Sequence, residues 1–373
     1  MIKKIGITGQ NGFVGLHLYN TLGLFPEEFE RIDFKKEYFE DNTLLDAFVS
    51  NCDVIVHLAA LNRHDSEQFI YDTNVGLANR LVQSLQRTNS TAHVMISSST
   101  QEERDNLYGR SKREGRELLA SWAESAGGNF TGLIIPNVFG AFGKPFYNSF
   151  IATFCYQLTH GEQPTIANDG SVGLIYVQEL VDLIVQQIRD GNSNPYYAIE
   201  PTALHKVSTV LELLTNFKEK YLLGGEIPSI KDSFEHNLFN TFRSYIDHKN
   251  HYPVKFVQHT DPRGAFVEVI RLGIGGQCSF STTVPGITRG NHYHTRKIER
   301  FAVIKGKALI QLRKIGAEEV LDFYLDGAEP AYVDMPIWYT HNIKNIGDEE
   351  LYTIFWINEP FDPADADTYF ETV

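Results

Sequence analysis

Two separate sets of chemistry-bearing residues lie in this chain, and each demands a different fold. Near the start stands Thr8-Gly9-Gln10-Asn11-Gly12-Phe13-Val14-Gly15, followed by Tyr108-Gly109-Arg110-Ser111-Lys112. Near the end stand Gly286, His292-Tyr293-His294, Glu299 and Gly306, followed by His341 and Asn345. Three glycines spaced three apart belong in a strand-turn-helix that brings a helix N-terminus up to phosphates. Two histidines two apart share one side only when the backbone is extended, so the second set needs strands. One core rarely grows to hold 373 residues. Two domains are therefore expected, over residues 1–247 and 253–373, with the change of rhythm at His248–Pro253.

The apolar pattern supports that division. Short apolar runs at Ile5–Thr8, Val54–Ala60, Val94–Ser97 and Leu133–Pro136 alternate with helical stretches such as Val75–Leu85 and Arg113–Ala123. Continuous apolar strands are buried on both faces, which predicts an α/β, Rossmann-type doubly wound parallel sheet. From about 145 to 245 the pattern reads as mainly helical. From Val254 onward short strands alternate with turn residues such as Pro285-Gly286, Lys305-Gly306 and Asp326-Gly327. That spacing predicts an antiparallel, all-β barrel or sandwich.

In the glycine turn, Gly9 permits the tight bend, Gly12 lets the backbone approach a pyrophosphate and Gly15 lets helix and strand pack. This predicts dinucleotide binding. The second strand ends near Asp33, with Lys35 and Lys36 after it. An acid there suits the ribose hydroxyl of NAD and a cation suits the 2′-phosphate of NADP. Both are present, and the lysines tilt the expectation toward NADPH. Tyr108 and Lys112, four apart, share one helix face. The lysine is expected to lower the phenol's pKa for proton exchange with a carbonyl or carbinol oxygen. The strand from Val94 ends in Ser97-Ser98-Ser99-Thr100, and Ser99, with Ser98 second, is expected to polarise that carbonyl.

These residues, with Ala59-Ala60 and Pro136-Asn137-Val138-Phe139-Gly140, resemble the extended short-chain dehydrogenase/reductase family over about residues 1–245. The resemblance implies action on a nucleotide sugar. It also implies that Gly9, Asn11, Gly12, Phe13, Val14, Leu58, Ala59, Ala60, Tyr108, Lys112 and the Pro136–Val138 backbone line the cofactor. Asn148 is implied to face the sugar nucleotide. Two departures stand out. The lysine-bearing loop after Asp33 does not match a strict NAD pattern, and Ile134 and Ile135 stand where many relatives carry an arginine.

At the other end, His292, His294, Glu299 and His341 offer three imidazoles and a carboxylate, a set that suits Zn, Fe, Mn or Ni. The spacing from Gly286 to Gly306 resembles the cupin family, which implies a double-stranded β-helix, or jelly roll. Trp338 stands where cupins usually have glycine, which would narrow the pocket and leave the ligands intact. A short-chain reductase followed by a cupin, with Asn291-His292-Tyr293-His294 and the ending Asn358-Glu359-Pro360-Phe361-Asp362-Pro363 and Asp367-Thr368-Tyr369-Phe370, resembles the bifunctional enzymes of capsular-polysaccharide synthesis. That resemblance implies a zinc-dependent C3 epimerisation of a UDP-2-acetamido-2,6-dideoxy-4-hexulose, then NADPH-dependent reduction at C4 to the L-talose sugar, on the route to UDP-N-acetyl-L-fucosamine. It also implies a homodimer. The alternative is a nucleotide-sugar 4-reductase or 4-epimerase whose cupin only dimerises or binds ligand.

Composition removes other classes. A net charge of −14 is wrong for nucleic acid, whose phosphates need clustered cations. No apolar run approaches the ~20 residues of a membrane span. Cys52, Cys155 and Cys278 lie far apart without a CxxC, so they are expected as small core residues of a reduced protein. With the first strand beginning almost at Met1, the expected location is cytoplasmic.

Overall fold

The computed structural model describes residues 2–262, 264–359 and 361–373, and so omits Pro360 of the Asn358–Pro363 ending. The chain forms two compact units. One comprises Met1–Thr153 and Ala167–Val207, the other Phe154–Ile166 and Ser208–Val373.

The first unit carries β1 (Lys3–Thr8), α1 (Phe13–Leu22), β2 (Phe29–Ile32), α2 (Asn42–Ser50), β3 (Val54–His57), α3 (Glu67–Arg87), β4 (His93–Ser99), α4 (Leu107–Ala126) and β5 (Phe130–Ile135). Then come β6 (Asn137–Phe139), α5 (Phe150–Thr159), which runs on into the second unit, β7 (Ser171–Tyr176), α6 (Val177–Asp190), β8 (Asn194–Ala198) and β9 (Ala203–Lys206). Six strands form one parallel sheet in the order β2-β1-β3-β4-β5-β8. All four residues of β3 and all six of β5 are buried, as a sheet covered on both faces requires. The chain leaves β1 toward β2 on one side and returns to β3 on the other. A crevice therefore opens beyond the carboxyl ends of β1 and β3. The run expected as a strand over Val54–Ala60 stops at His57, and Leu58 and Ala60 line that crevice. The stretch read as mainly helical also holds β7, β8 and β9. Strand β8 extends the sheet, while β6, β7 and β9 make a small sheet of their own. Their short, mixed-polarity sequences, such as Asn-Pro-Tyr-Tyr-Ala in β8, carry little periodic signal.

After Phe154–Ile166, the second unit continues with α7 (Val207–Phe217), whose first residue closes the first unit, α8 (Ser233–Arg243) and α9 (His248–His251). Strands β10 (Val254–Lys255), β11 (Gln258–Asp261), β12 (Gly264–Val267), β13 (Gln277–Thr283), β14 (Thr288–Tyr293), β15 (Glu299–Lys305) and β16 (Lys307–Lys314) follow. The series ends with β17 (Val320–Asp326), β18 (Ala331–Met335), β19 (Tyr339–Asn345), β20 (Leu351–Ile357) and β21 (Tyr369–Phe370). Two five-stranded antiparallel sheets result, β10-β18-β15-β20-β13 and β17-β16-β19-β14-β21. Their facing residues share one core, with Ala302, Val333 and Leu351 from one sheet and Ile310, Leu312, Phe323 and Ile343 from the other. Strand β16 shows the alternation directly, burying Ala308, Ile310 and Leu312. This is the expected cupin-type jelly roll.

The sequence pattern groups helices α7 and α8 with the first domain, but from Ser208 onward they pack within the second unit. A buried polar network fixes them there. Arg300 on β15 pairs with Asp334 on β18 at 2.7 Å, and Tyr221 donates to the same carboxylate at 2.5 Å. Arg243 at the end of α8 donates to the Met335 carbonyl at 2.8 Å. Asp334 is wholly buried, and Arg300 and Arg243 are nearly so. Loss of one partner from such a pair strands a buried charge, which costs about 3–5 kcal/mol. Cys52 and Cys155 are buried as expected, whereas Cys278 is exposed on β13, an edge strand.

Candidate active sites

In the first unit a cleft of about 820 Å³ lies over the carboxyl ends of the parallel strands. It is lined by Gly9, Asn11, Gly12, Phe13, Val14, Leu58, Ala60, Ser98, Ser99, Tyr108, Lys112, Pro136, Val138 and Asn148. The turn needs its glycines. Gly9 has φ +78°, and a Cβ on it would meet the Ala59 backbone at 2.9 Å. A Cβ on Gly15 would lie 2.2 Å from the Gly9 carbonyl. Gly12 caps α1 without a side chain, so the helix amides at that end face the cleft unscreened. Ala59 lies beside this turn and outside the lining. Asp33, Lys35 and Lys36 are exposed beyond it, and Asp33 accepts a 2.7 Å bond from Tyr19.

Helix α4 presents Tyr108 and Lys112 together. Its first turn is capped by Asn106, whose side chain accepts the Gly109 amide at 2.7 Å. The phenol donates to Asn62 Oδ1 at 3.2 Å, and Lys112 Nζ donates to the Ser97 carbonyl at 3.1 Å. The expected lowering of the phenol is not found. Burial, and then Tyr147, push Tyr108 up to about 12. Lys112 is itself buried, which brings it down to about 8 against the pull of Glu102. Tyr108 is thus a protonated acid at neutral pH, the form that gives a proton to a developing alkoxide. The two serines part company. Ser98 is buried and donates to Glu102, which Arg116 grips with two nitrogens at 2.9 and 3.0 Å. Ser99 Oγ accepts the Gln101 amide at 3.2 Å and keeps its own proton for a group in the cleft.

Several lining residues escaped sequence reasoning. Arg63, Arg104 and Lys144 supply cations, and Asn62 and Tyr147 shape the wall. The Asn62 amide donates to Tyr147 Oη at 3.0 Å, and Arg63 donates to the Phe146 carbonyl at 2.9 Å. Asn74 pins the other side of this loop by exchanging hydrogen bonds with the Leu61 backbone at 2.7 and 3.0 Å. Arg63, Arg104, Lys144, Asn62 and Tyr147 sit in loops without periodic pattern, so only topology brings them to the cleft.

In the second unit His292, His294, Glu299 and His341 offer ligand atoms all within 4.8 Å of one another. His292 and His341 face each other across β14 and β19 of one sheet, and Glu299 opens β15 of the other. A bulge between Gly290 and His292, with Asn291 at φ +61°, turns β14 so that its histidines point inward. Each imidazole is held from behind by a backbone group: His292 at Gly290, His294 at Asp367 and His341 at Tyr339. Glu299 Oε2 lies 3.0 Å from His294 Nε2 and 3.3 Å from His341 Nε2.

The electrostatics suit a cation. Burial opposes the charge on Glu299, but hydrogen bonds from His294 and His341 outweigh it and hold the carboxyl well below its usual range. Burial, then His341, lower His292 to about 4, so this imidazole is neutral near pH 7. His341 Nε2 is buried and faces Glu299 Oε2 at 3.3 Å. Buried ligand atoms that converge in this way, three nitrogens with one carboxylate, fit a divalent transition metal. Trp338 adopts φ +60°, a conformation that favours glycine, and its buried indole stacks on Tyr293 at 5.6 Å. The sequence singles out Asp367 only in the ending that carries the resemblance, and the structure sets it against His294 and Thr295.

Comparison with known proteins follows the same division. Residues 5–199 match the model of the NAD dependent epimerase/dehydratase family, and residues 259–369 match that of the polysaccharide biosynthesis C-terminal domain. The UDP-2-acetamido-2,6-beta-L-arabino-hexul-4-ose reductase of Pseudomonas aeruginosa is 32% identical over 374 residues, 98% of each chain. The crystal structure of the capsular polysaccharide assembling protein CapF from Staphylococcus aureus is similar at 33% identity and a TM-score of 0.62, over 99% of this chain and 100% of that one. RMD from Pseudomonas aeruginosa, solved with NADPH, shares the fold over 58% of this chain and 84% of its own, at 19% identity and a TM-score of 0.53. No described helix is long and apolar enough to cross a membrane.

Proposed function

The chain belongs to the NAD dependent epimerase/dehydratase family, and from that premise we propose that it is a two-step enzyme of nucleotide-sugar synthesis. Its second unit inverts C3 of a UDP-2-acetamido-2,6-dideoxy-4-hexulose with the help of zinc. Its first unit then reduces the C4 ketone with NADPH, giving the UDP-2-acetamido-2,6-dideoxy-L-talose on the route to UDP-N-acetyl-L-fucosamine. The functional division falls at residues 247–253, and the enzyme acts as a cytoplasmic homodimer. One observation carries the reading: a cleft holding Ser99, Tyr108 and Lys112 and a cluster of three histidines with a glutamate stand on the same chain.

The order follows from the chemistry of the ketone. A C4 carbonyl acidifies the hydrogen at C3, so epimerisation must precede the reduction that removes the carbonyl. In the reductase cleft, Gly9, Gly12 and the Pro136–Val138 backbone would hold NADPH, whose chemistry would be hydride donation to C4. Ser99 donates a hydrogen bond to the C4 oxygen, and Tyr108 gives that oxygen its proton as it becomes an alkoxide. Lys112, buried beside the phenol, favours the negative charge left on Tyr108. Asn148 meets the sugar, and Arg104 and Lys144 are the cations placed for its diphosphate. In the second unit His292, His294, Glu299 and His341 hold zinc, which when bound polarises the sugar's carbonyl oxygen.

The deciding experiment is NMR of the UDP-4-ketosugar incubated in D2O with the enzyme, with and without NADPH. Deuterium should enter C3 in both samples, and the C4 alcohol should form only with NADPH. Reduction without any exchange at C3 would leave a reductase whose barrel has no part in catalysis.

Cofactor choice has its own test. Changing Lys35 and Lys36 together to Ala should raise the KM for NADPH more than that for NADH, since only the former carries a 2′-phosphate. An equal change for both would mark these lysines as surface charge alone.

A further inference from the structure

In the C-terminal tail one acidic residue is tied to His294 and to the first three residues of the loop between two metal ligands. Residues 295–298 connect His294 to Glu299, and their four backbone amides are all taken by tail side chains. Asp367 Oδ1 accepts the Thr295 amide at 3.0 Å, and Oδ2 accepts those of Arg296 and Lys297 at 3.1 and 3.0 Å. Asn358 Oδ1 accepts the Ile298 amide at 2.9 Å. Asp367 also accepts the Thr295 hydroxyl at 2.6 Å, while its backbone carbonyl takes His294 Nδ1. Lys297 Nζ reaches the Ala366 carbonyl at 2.6 Å, and Arg296 pairs with Asp365 at 2.8 Å.

The tail is in turn anchored on the strands that carry the other ligands. Strand β21 pairs with β14, setting Phe370 against His292. Beyond it, the Glu371 amide donates to the Asn291 carbonyl at 3.0 Å, and Arg313 grips the Glu371 carboxylate at 2.7 Å. Asp367 is only 4% exposed and adopts φ +39°, a conformation that aspartate and asparagine tolerate better than most residues. A loop whose amides had no such acceptors would leave buried donors unpaired.

We propose that Asp367 is a positioning residue for the metal centre. The tail works as a strap that sets the tautomer of His294 and the path of the chain to Glu299. With Nδ1–H held on the Asp367 carbonyl, Nε2 is the nitrogen presented to the ion, and the carboxylate holds residues 295–297 of the path that leads to Glu299. The proposal rests on the reading of His292, His294, Glu299 and His341 as metal ligands, and it assigns the strap to residues outside that set.

The test compares the parent protein with Asp367→Asn, which keeps size and the left-handed backbone but loses the two-oxygen acceptor, and with Asp367→Ala. Zinc affinity is measured on the metal-stripped full-length protein against a competing chelator. Amide hydrogen exchange is followed at residues 295–297 in the same metal-free samples. Weakening of about 10- to 100-fold is expected for removal of a partner that orients a ligand. Exchange at these amides should quicken in both variants, and the visible spectrum of the Co2+-loaded protein should change. NADPH binding in the first unit, measured alongside, reports that the chain has folded. Should zinc affinity and the Co2+ spectrum stay at the parent's values in both variants, Asp367 is not a positioning residue. A parent protein that takes up no zinc would overturn the ligand reading, and the amide exchange would then decide alone whether the strap holds the loop.

Discussion

With Tyr108 changed to Phe, NADPH-dependent reduction of a UDP-4-ketosugar should fall by about 10²–10⁴-fold, the usual value of a positioned general acid. NADPH should bind as before, because the glycine turn at Gly9, Gly12 and Gly15 does not involve the phenol. The structure sharpens this expectation. The phenol donates to Asn62, and burial pushes its pKa up to about 12. It therefore stays protonated across the working range, and the alkaline limb of the pH profile belongs to another group. Lys112 is that group. Burial lowers its pKa to about 8, so it is charged below that pH and neutral above it. Since kcat/KM reports the free enzyme, it should decline as pH rises through about 8, with the fall traced to loss of the Lys112 charge. Steady-state rates read from NADPH absorbance between pH 6 and 10 check both points. A Tyr108→Phe variant with near-parent turnover would remove Tyr108 from the mechanism, and a profile flat to pH 10 would remove Lys112 from the limb.

The sequence made the two folds and both residue clusters legible for a physical reason. Glycine spacing, Tyr-x-x-x-Lys and His-x-His are local patterns, and each is bound to one backbone period. What it left out depends on long-range packing. Arg63, Arg104 and Lys144 meet in the cleft only because loops separated by tens of residues converge at the sheet's switch point. Asp367 lies more than seventy residues from the histidine whose tautomer it sets. The direction of the Tyr108 shift departs from the expectation because spacing gives proximity to Lys112 but says nothing of burial, and burial is the larger effect here. The choice between Ser98 and Ser99 is likewise closed to spacing. It turns on Glu102, four residues beyond Ser98, facing inward and held there by Arg116.

Loss of any one metal ligand should have the larger and more selective effect on the other half of the chemistry. The parent protein should carry about one ion per chain, and Glu299→Ala or His341→Ala should lose most of it, since a four-ligand site deprived of one donor also exposes a polar cavity in the barrel core. Glu299 matters most on electrostatic grounds. Its carboxylate is buried, held ionised by His294 and His341, and is the only negative ligand of the set. His294→Ala should abolish the entry of solvent deuterium at C3 of the ketosugar. It should leave NADPH binding, and reduction of a ketone whose C3 is already inverted, near the parent's values, because no ligand of the cluster lines the reductase cleft. Tyr108→Phe should do the reverse, stopping reduction while deuterium still enters. Metal analysis, NMR in D2O and NADPH consumption, run on the same variants, separate the two halves. If His294→Ala exchanged C3 at the parent's rate, or Tyr108→Phe stopped that exchange, epimerisation would have to be moved out of the barrel and into the cleft of the first unit.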